Sequence, residues 1–262
     1  MNGIDPVYKK VIGIAKEAGN AIMSIYNKEY VIEKKKDNSL VTAADLAANT
    51  IIVAGLKNIS TYPILSEEIK DTSERLSHEF VWIVDPLDGT SDFIKKNGEF
   101  SVMIGLVQNN TPIFGVSYEP VTQKSYYAQK GVGAFVLEPE TDPRKLHVSS
   151  ISNITQMTVI SSRSHPEKDS FAKKLGITKQ ILSGGIGVKI GKMTEKKADI
   201  YYNTSPHTSI WDTCAPHCII EEAGGKMTDL SGNPLVYNTK ETKNMHGVLA
   251  TNGIIHDHVS QE

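Results

Sequence analysis

The residues best suited to chemistry in this chain are acidic, and they sit where apolar runs end. Ser66-Glu67-Glu68 follows a short apolar run. Asp85-Pro86-Leu87-Asp88-Gly89-Thr90 follows the run from Glu79 to Val84, and Asp212 lies just before a helix-like stretch. Carboxylates gathered without histidine or cysteine favour hard cations with oxygen ligands, Mg²⁺ ahead of Zn²⁺. In Asp-Pro-Leu-Asp the proline stiffens the turn, so both aspartates can face one site with a backbone carbonyl exposed between them. Gly89 permits a close backbone approach, and Thr90 opens a helix whose N–H groups suit a phosphate. Together these groups describe phosphate ester hydrolysis, with two ions about 3.5–4 Å apart activating water and stabilising the leaving oxygen. The same residues also have an ordinary structural role open to them: Asp-Pro and Asp-Gly form turns, while Asp212 and Asp45 suit helix starts, Asp212 as an N-cap. Spacing alone does not bring Glu67, Asp85 and Asp212 together.

Several elements must position these groups. Val7, Val11, Ile14, Ala15, Ala18, Ile22 and Ile25 recur at helical spacing, and after the basic stretch around Lys34 to Asp37 a second helix runs from Ala43 to Lys57. The run from Glu79 to Val84 reads as a buried strand that stops at Asp85. Strands at Phe100 to Val107, Ile113 to Tyr118, Ser125 to Gln129 and Gly133 to Leu137 predict a meandering, largely antiparallel sheet. Glu138 to Pro143 is the best boundary, dividing an α+β part at 1–140 from an α/β part at 141–262. In the second part, strands at Met157 to Ser162 and Gln180 to Leu182 flank a helix near Phe171. Helices then follow at Gly187 to Lys197 and Thr213 to Ala223, with short strands near Lys226 and at Gly247 to Thr251.

Composition narrows the class. The 262 residues are 39% hydrophobic and 22% charged, a folded rather than disordered balance. Lysine and arginine total 28 against 30 acidic residues, a net charge of −2, which opposes a broad grip on nucleic acid. No apolar run reaches the roughly 18 residues that span a bilayer, and the N-terminal stretch lacks a signal-peptide core. The expectation is a soluble cytoplasmic protein without nucleic-acid or membrane partners, as a monomer or homodimer. Cys214, His217 and Cys218 lie at i, i+3 and i+4; three ligands leave a zinc site incomplete, and a buried helix face is expected instead.

At its acidic residues the chain resembles the lithium-sensitive, magnesium-dependent phosphatase superfamily that includes the inositol monophosphatases. Trp82 to Thr90 (WIVDPLDGT), Trp211 to Pro216 (WDTCAP) and Glu222 to Asp229 (EAGGKMTD) carry the resemblance in the family's order, with Ser66-Glu67-Glu68 upstream. It covers nearly the whole chain and implies a layered αβαβα sugar-phosphatase-type fold. It also implies metal ligation by Glu67, Asp85, the Leu87 carbonyl, Asp88 and Asp212. Thr90 and Asp45 would activate the attacking water, with Asp45 taking the proton, and Glu67 would share in catalysis. Two or three Mg²⁺ ions and inhibition by Li⁺ are implied as well.

Within the superfamily the chain is most similar to the 3′(2′),5′-bisphosphate nucleotidases. Ser161-Ser162-Arg163-Ser164-His165 resembles their S/T-R-S-H segment, and Gly184 to Lys189 resembles their G-G-x-G-x-K loop. Asp92 to Phe100 (DFIKKNGEF) resembles the bacterial branch, whereas WDTCAP is typical of the animal enzymes. The resemblance implies that Gly89 and Thr90 contact the scissile phosphate, and that Ser162, His165, Gly185 and Lys189 bind the rest of the nucleotide. The implied reaction converts adenosine 3′,5′-bisphosphate to AMP and phosphate, which would clear a by-product of sulfate transfer. The alternatives are an inositol monophosphatase or a fructose 1,6-bisphosphate phosphatase, and more remotely a non-catalytic nucleotide sensor. Tyr201-Tyr202 is followed by Asn203, where inositol monophosphatases typically place an acidic residue; His217 departs from the animal nucleotidases, and the segment from Glu68 to Trp82 is short.

Overall fold

The computed structural model describes residues 3–28, 32–34, 40–163 and 170–260, so the expected substrate contact His165 lies outside the described residues. The chain opens with α1 (Pro6–Tyr26), which starts where sequence rules place a helix: Asp5 caps it by accepting from Val7 N–H at 2.7 Å, and Pro6 follows the cap. Its apolar stripe, including Val11, Ala15, Ala18 and Ile22, is buried. A short ribbon of β1 (Ile32–Lys34) and β2 (Leu40–Thr42) leads into α2 (Ala43–Ile59).

A seven-stranded sheet follows, with its strands in chain order. It comprises β3 (Ile64–Ser66), β4 (Phe80–Asp88), β5 (Ser101–Gln108), β6 (Thr111–Glu119), β7 (Lys124–Gln129), β8 (Gly133–Leu137) and β9 (Arg144–Lys145). Only β3 pairs in parallel, with β4; the rest form the expected antiparallel meander. A short helix, α3 (Thr90–Ile94), interrupts it between β4 and β5. The sheet runs on to Lys145, beyond the turn at 138–143.

The second sheet contains β10 (Thr158–Ser162), β11 (Lys179–Ser183), β12 (Ile200–Asn203), β13 (Lys226–Thr228) and β14 (Val248–Thr251), in the order β11-β10-β12-β14-β13. It is mixed: β11, β10 and β12 are parallel, while β14 runs against β12 and β13. Helices α4 (Ser170–Lys174), α5 (Ile186–Thr194), α6 (Ile210–Glu222) and α7 (His256–Val259) complete the chain.

Alternation along the strands sorts the core into layers. Trp82, Val84, Val102, Ile104 and Val116 face α1 and α2, while Val81, Ile83 and Met103 face the opposite side, where α5 and α6 lie. On the far side of those helices, Ile160, Tyr201, Val248 and Ala250 of the second sheet close the layer. Its outer face, with Val159, Ile200, Tyr202 and Leu249, packs Ala172, Leu175 and Val259. The result is the layered αβαβα arrangement that the family resemblance implies. Helix α6 lies between two sheets and is buried nearly all round, including Cys214, His217 and Cys218, so the cysteine pair is a packed helix face. Gly115 makes this contact possible, since a Cβ there would stand 2.5 Å from the Ala215 carbonyl oxygen.

His256 pins α7 to the second sheet. Its Nε2 meets the Thr228 hydroxyl at 2.8 Å and its Nδ1 meets the Thr251 hydroxyl at 2.9 Å. Thr228 donates to the Asp229 carbonyl and Thr251 accepts from Gly253 N–H, which fixes the proton on Nε2 and leaves Nδ1 accepting. Burial, reinforced by the Lys226 charge, pushes the imidazole pKa down from 6.5 to about 4. A lowered histidine pKa contributes stability fully above the unfolded value, and that contribution is lost as pH falls from about 6.5 to about 4. In urea titrations at pH 7 and 4.5, His256→Gln is expected to lose less stability on acidification than the wild type. The difference approaches about 3 kcal/mol at its limit. Equal losses in the two proteins would remove His256 as an acid-sensitive site.

Candidate active site

The Asp-Pro-Leu-Asp segment belongs to β4, which does not stop at Asp85 as its sequence suggests. The β4–β5 register steps from Asp85↔Met103 to Asp88↔Ser101, three residues on one strand against two on the other. In a regular strand, residues three apart point to opposite faces. The extra residue of this bulge returns Asp88 to the side of Asp85. Pro86 sits in the irregular stretch, where a missing N–H is tolerated. Leu87 N–H donates to Asp85 Oδ1 at 3.0 Å, and both aspartates are buried. Gly89 then turns the chain with φ +88° and caps α3, so Thr90 is the first residue of that helix.

The other two aspartates occupy equivalent helix positions. Asp45 is the third residue of α2, where its Oδ2 accepts from the N–H and hydroxyl of Thr42, each at 2.7 Å. Asp212 is the third residue of α6 and accepts from the backbone N–H of Ser209, which is the N-cap. Asp212 is therefore not the cap itself. Both helices use the capping box, which explains why an aspartate stands at each start and fixes the carboxylate's direction. Asp45 Oδ1 faces the Thr90 hydroxyl at 3.3 Å, and that hydroxyl also lies 3.1 Å from the Leu87 carbonyl.

Asp85, Asp88 and Asp212 each bring an oxygen within 4.8 Å of the others. Glu67 lies close enough to raise the carboxyl pKa of Asp45, Asp85 and Asp212, but it stands outside that triplet. Its backbone N–H is tied to the Val84 carbonyl at 3.2 Å, beside the parallel β3–β4 pairing. Burial, then the charges of Glu67, Asp212 and Asp88, push Asp85 well above the ordinary carboxyl range. Asp212 is pushed up to about 7 by burial and the Glu67 charge. Like charges are crowded here, offset in part by Lys189 at Asp88 and by Lys243 at Asp212. An oxygen-only, convergent acidic set is the donor chemistry of Mg²⁺.

On the other side of the site, Asp88 caps α5. Its Oδ1 accepts from Ile186 N–H at 3.0 Å, and its Oδ2 accepts from Gly187 N–H at 2.8 Å and the Ser101 hydroxyl at 2.9 Å. Gly185 is required for this approach, since a Cβ there would meet Asp88 Oδ2 at 2.2 Å. The glycine loop therefore lies directly against a predicted metal ligand. Lys189 is only 4% exposed; it donates to the Gly184 carbonyl, and burial lowers its pKa against the pull of Asp88 and Asp92. Ser162 ends β10 on the same side as the glycine loop.

The sequence reading missed Lys243 and the ionic partners of Glu99. Lys243 Nζ donates to Ser209 Oγ at 2.8 Å and the His207 carbonyl at 3.2 Å, and its charge partly offsets the rise at Asp212. It comes from a loop thirty-odd residues downstream, where no local pattern marks it. Glu99 lay within a quoted motif, but nothing local reveals its partners.

Against known proteins, the inositol monophosphatase family matches residues 4–261. The 3′(2′),5′-bisphosphate nucleotidase CysQ of Shigella flexneri is 39% identical over 239 residues, 89% of this chain and 94% of that protein. The crystal structure of CysQ from Bacteroides thetaiotaomicron, a bacterial member of the family, superposes with a TM-score of 0.78 at 36% identity, covering 93% of this chain and 96% of that one. The extragenic suppressor protein suhB from Bartonella henselae shares the fold with a TM-score of 0.83 at 21% identity, covering 98% of both chains. With the layered fold and the acidic motifs in place, the chain belongs to the inositol monophosphatase family.

Proposed function

We propose that this chain is a magnesium-dependent phosphomonoesterase that hydrolyses the 3′-phosphate of adenosine 3′,5′-bisphosphate to AMP and phosphate. The convergence of Asp85, Asp88 and Asp212 beside the Thr90–Asp45 pair is the observation that carries the hydrolytic chemistry. The nucleotide substrate is supported by relatives named 3′(2′),5′-bisphosphate nucleotidase at 38–39% identity over most of the chain. Asp85, Asp88 and Asp212, with Glu67 and the Leu87 carbonyl, are the residues that would hold Mg²⁺. When bound, two or three ions supply Lewis acidity to the phosphate oxygens and make water a stronger nucleophile, and Li⁺ competes for a cation position.

The chain's own groups handle the proton. Thr90 Oγ1 is placed to accept a proton from the attacking water while passing its own to Asp45 Oδ1. Burial raises the Asp45 carboxyl above its ordinary range, against the hydrogen bonds from Thr42, which makes it a stronger base than an exposed aspartate. The water oxygen bonds to phosphorus, the bond from phosphorus to the ribose 3′-oxygen breaks, and the departing oxygen takes up a proton. Gly185, Lys189, Ser162 and His165 are assigned to the nucleotide side. Among the described residues no helix is long and apolar enough to cross a membrane.

The test is phosphate release with Mg²⁺ from adenosine 3′,5′-bisphosphate, inositol 1-phosphate and fructose 1,6-bisphosphate in parallel. A strong preference for the nucleotide is expected. Preference for either other ester overturns the substrate assignment and leaves the hydrolytic site standing. Tight nucleotide binding without turnover replaces the enzyme with a sensor.

A further inference from the structure

Glu99 lies in the loop between α3 and β5, outside every assigned role, yet it contacts three segments at once. Its Oε2 accepts from Arg163 Nε at 3.1 Å and Nη2 at 2.8 Å, while its Oε1 accepts from Lys192 Nζ at 2.7 Å. Its backbone carbonyl accepts from Gly185 N–H at 3.0 Å. Arg163 follows Ser162 in the S-S-R-S-H segment and binds the second sheet through Leu182 O at 3.0 Å and, by its own N–H, Ser183 O at 2.8 Å. Lys192 lies on α5, one turn after Lys189, and also donates to Ser183 Oγ at 2.9 Å.

The loop's other end is fixed to the metal side. Asn97 bonds Asp92 Oδ1 at 2.6 Å, and Asn97 Oδ1 accepts from Glu99 N–H at 3.0 Å. Ser101, two residues on, donates to Asp88. Through Glu99, the loop between α3 and β5 therefore bonds Arg163 at the end of β10, Lys192 of α5 and the glycine loop at Gly185, all in the second half of the chain. The carboxylate is only partly exposed, with 19% of its side-chain surface open; its bond to Lys192 is half-buried, while the bonds to Arg163 lie at the surface.

We propose that Glu99 is a positioning residue for substrate specificity, whose carboxylate holds Arg163 and Lys192 so that Ser162 at the end of β10 and the glycine loop sit in register with the acidic site. The inference rests on the nucleotidase reading. Without the carboxylate, two cations lose their common partner and the nucleotide side loosens, while Asp85, Asp88 and Asp212 keep their own supports. Binding of the nucleotide portion should suffer, and the chemical step should not.

The test compares wild type, Glu99→Gln, Arg163→Gln and the double variant, using steady-state kinetics with adenosine 3′,5′-bisphosphate and calorimetric titration with AMP and Mg²⁺. Each single variant is expected to raise KM and the AMP dissociation constant about tenfold, with kcat within about twofold, as lost positioning contacts predict. The double variant should cost less than the sum of the two single ones, because the Glu99–Arg163 contact is lost in each. Unchanged KM and AMP affinity in both single variants overturn the inference, as does a fall in kcat at constant KM. Should Glu99→Gln fail to fold, Arg163→Gln decides, since its side chain is 44% exposed and its removal opens no cavity. A wild type indifferent to the nucleotide removes the nucleotidase reading and this inference with it, whereas a nucleotide-selective wild type with unaltered variants removes the inference alone.

Discussion

Asp45→Asn is expected to lower kcat by about 10²–10⁴-fold, the range that a positioned general base contributes, while leaving the fold intact. The geometry forces the outcome. Asp45 Oδ2 takes two hydrogen bonds from Thr42, and Oδ1 faces Thr90. Asparagine has one oxygen, and turning its NH₂ toward Thr42 would set donors against donors. The oxygen must therefore stay on Thr42, which keeps the capping box, and the NH₂ must face Thr90. The hydroxyl then accepts where it formerly donated, and its proton turns to the Leu87 carbonyl at 3.1 Å. The path for a proton from water is reversed at its second step. Stability should change little, because burial and the Glu67 charge already disfavour ionised Asp45. Phosphate release and melting temperature measured together separate the two effects. Near-normal kcat in this variant removes Asp45 from the mechanism.

Asp85→Asn should abolish activity at ordinary Mg²⁺ concentrations and yet stabilise the metal-free protein. Asp85 is 1% exposed and faces Glu67, Asp212 and Asp88, so its charge opposes folding when no cation is bound. An amide of nearly the same shape relieves that repulsion. The wild type should regain the difference on binding Mg²⁺: at a hundredfold excess over the dissociation constant, linkage contributes about 2.7 kcal/mol. For a chain of this size that corresponds to a rise in Tm of about 5–10 °C. The variant should show little of it. Loss of a direct ligand should weaken Mg²⁺ binding beyond the roughly 10–100-fold cost typical of residues that only orient ligands. The pH dependence has a defined sign. Carboxyls whose folded pKa is raised stabilise the protein fully below the unfolded value near 3.8, and that contribution is lost as pH rises through the folded value, about 7 for Asp212. The metal-free wild type therefore gains from acidification at this site, opposing the loss at His256, and Asp85→Asn should flatten the gain. Thermal melts in chelator and in Mg²⁺ decide the matter. A metal-free variant that melts below the wild type contradicts the account of crowded charge.

Much of this arrangement was legible from residues close together in the chain. Asp5-Pro6 announces α1, and the apolar periodicity of α1 and α2 marks the faces they bury. Other features needed the partner strand. Asp85 and Asp88 share a side only because β5 supplies two residues where β4 supplies three, and no inspection of Asp-Pro-Leu-Asp alone reveals that count. The same holds for Asp88 as the cap of α5, where donor and acceptor lie 98 residues apart. Glu99 could be quoted within a motif, but its two cationic partners come from separate elements 64 and 93 residues away.

The sequence by itself determined most of the longer elements, the acidic groups available for chemistry and, through motif resemblance, the family. These depend on forces that act within a few residues: helical periodicity, the reach of a capping side chain, the stiffness of proline. Tertiary structure alone decided that Asp85, Asp88 and Asp212 converge, that Thr90 meets Asp45, and that Glu99 grips the glycine loop. Like charges repel, so nothing local draws three carboxylates within 4.8 Å of one another. Burial of the apolar layers on both sides of α6 supplies the free energy that holds them there.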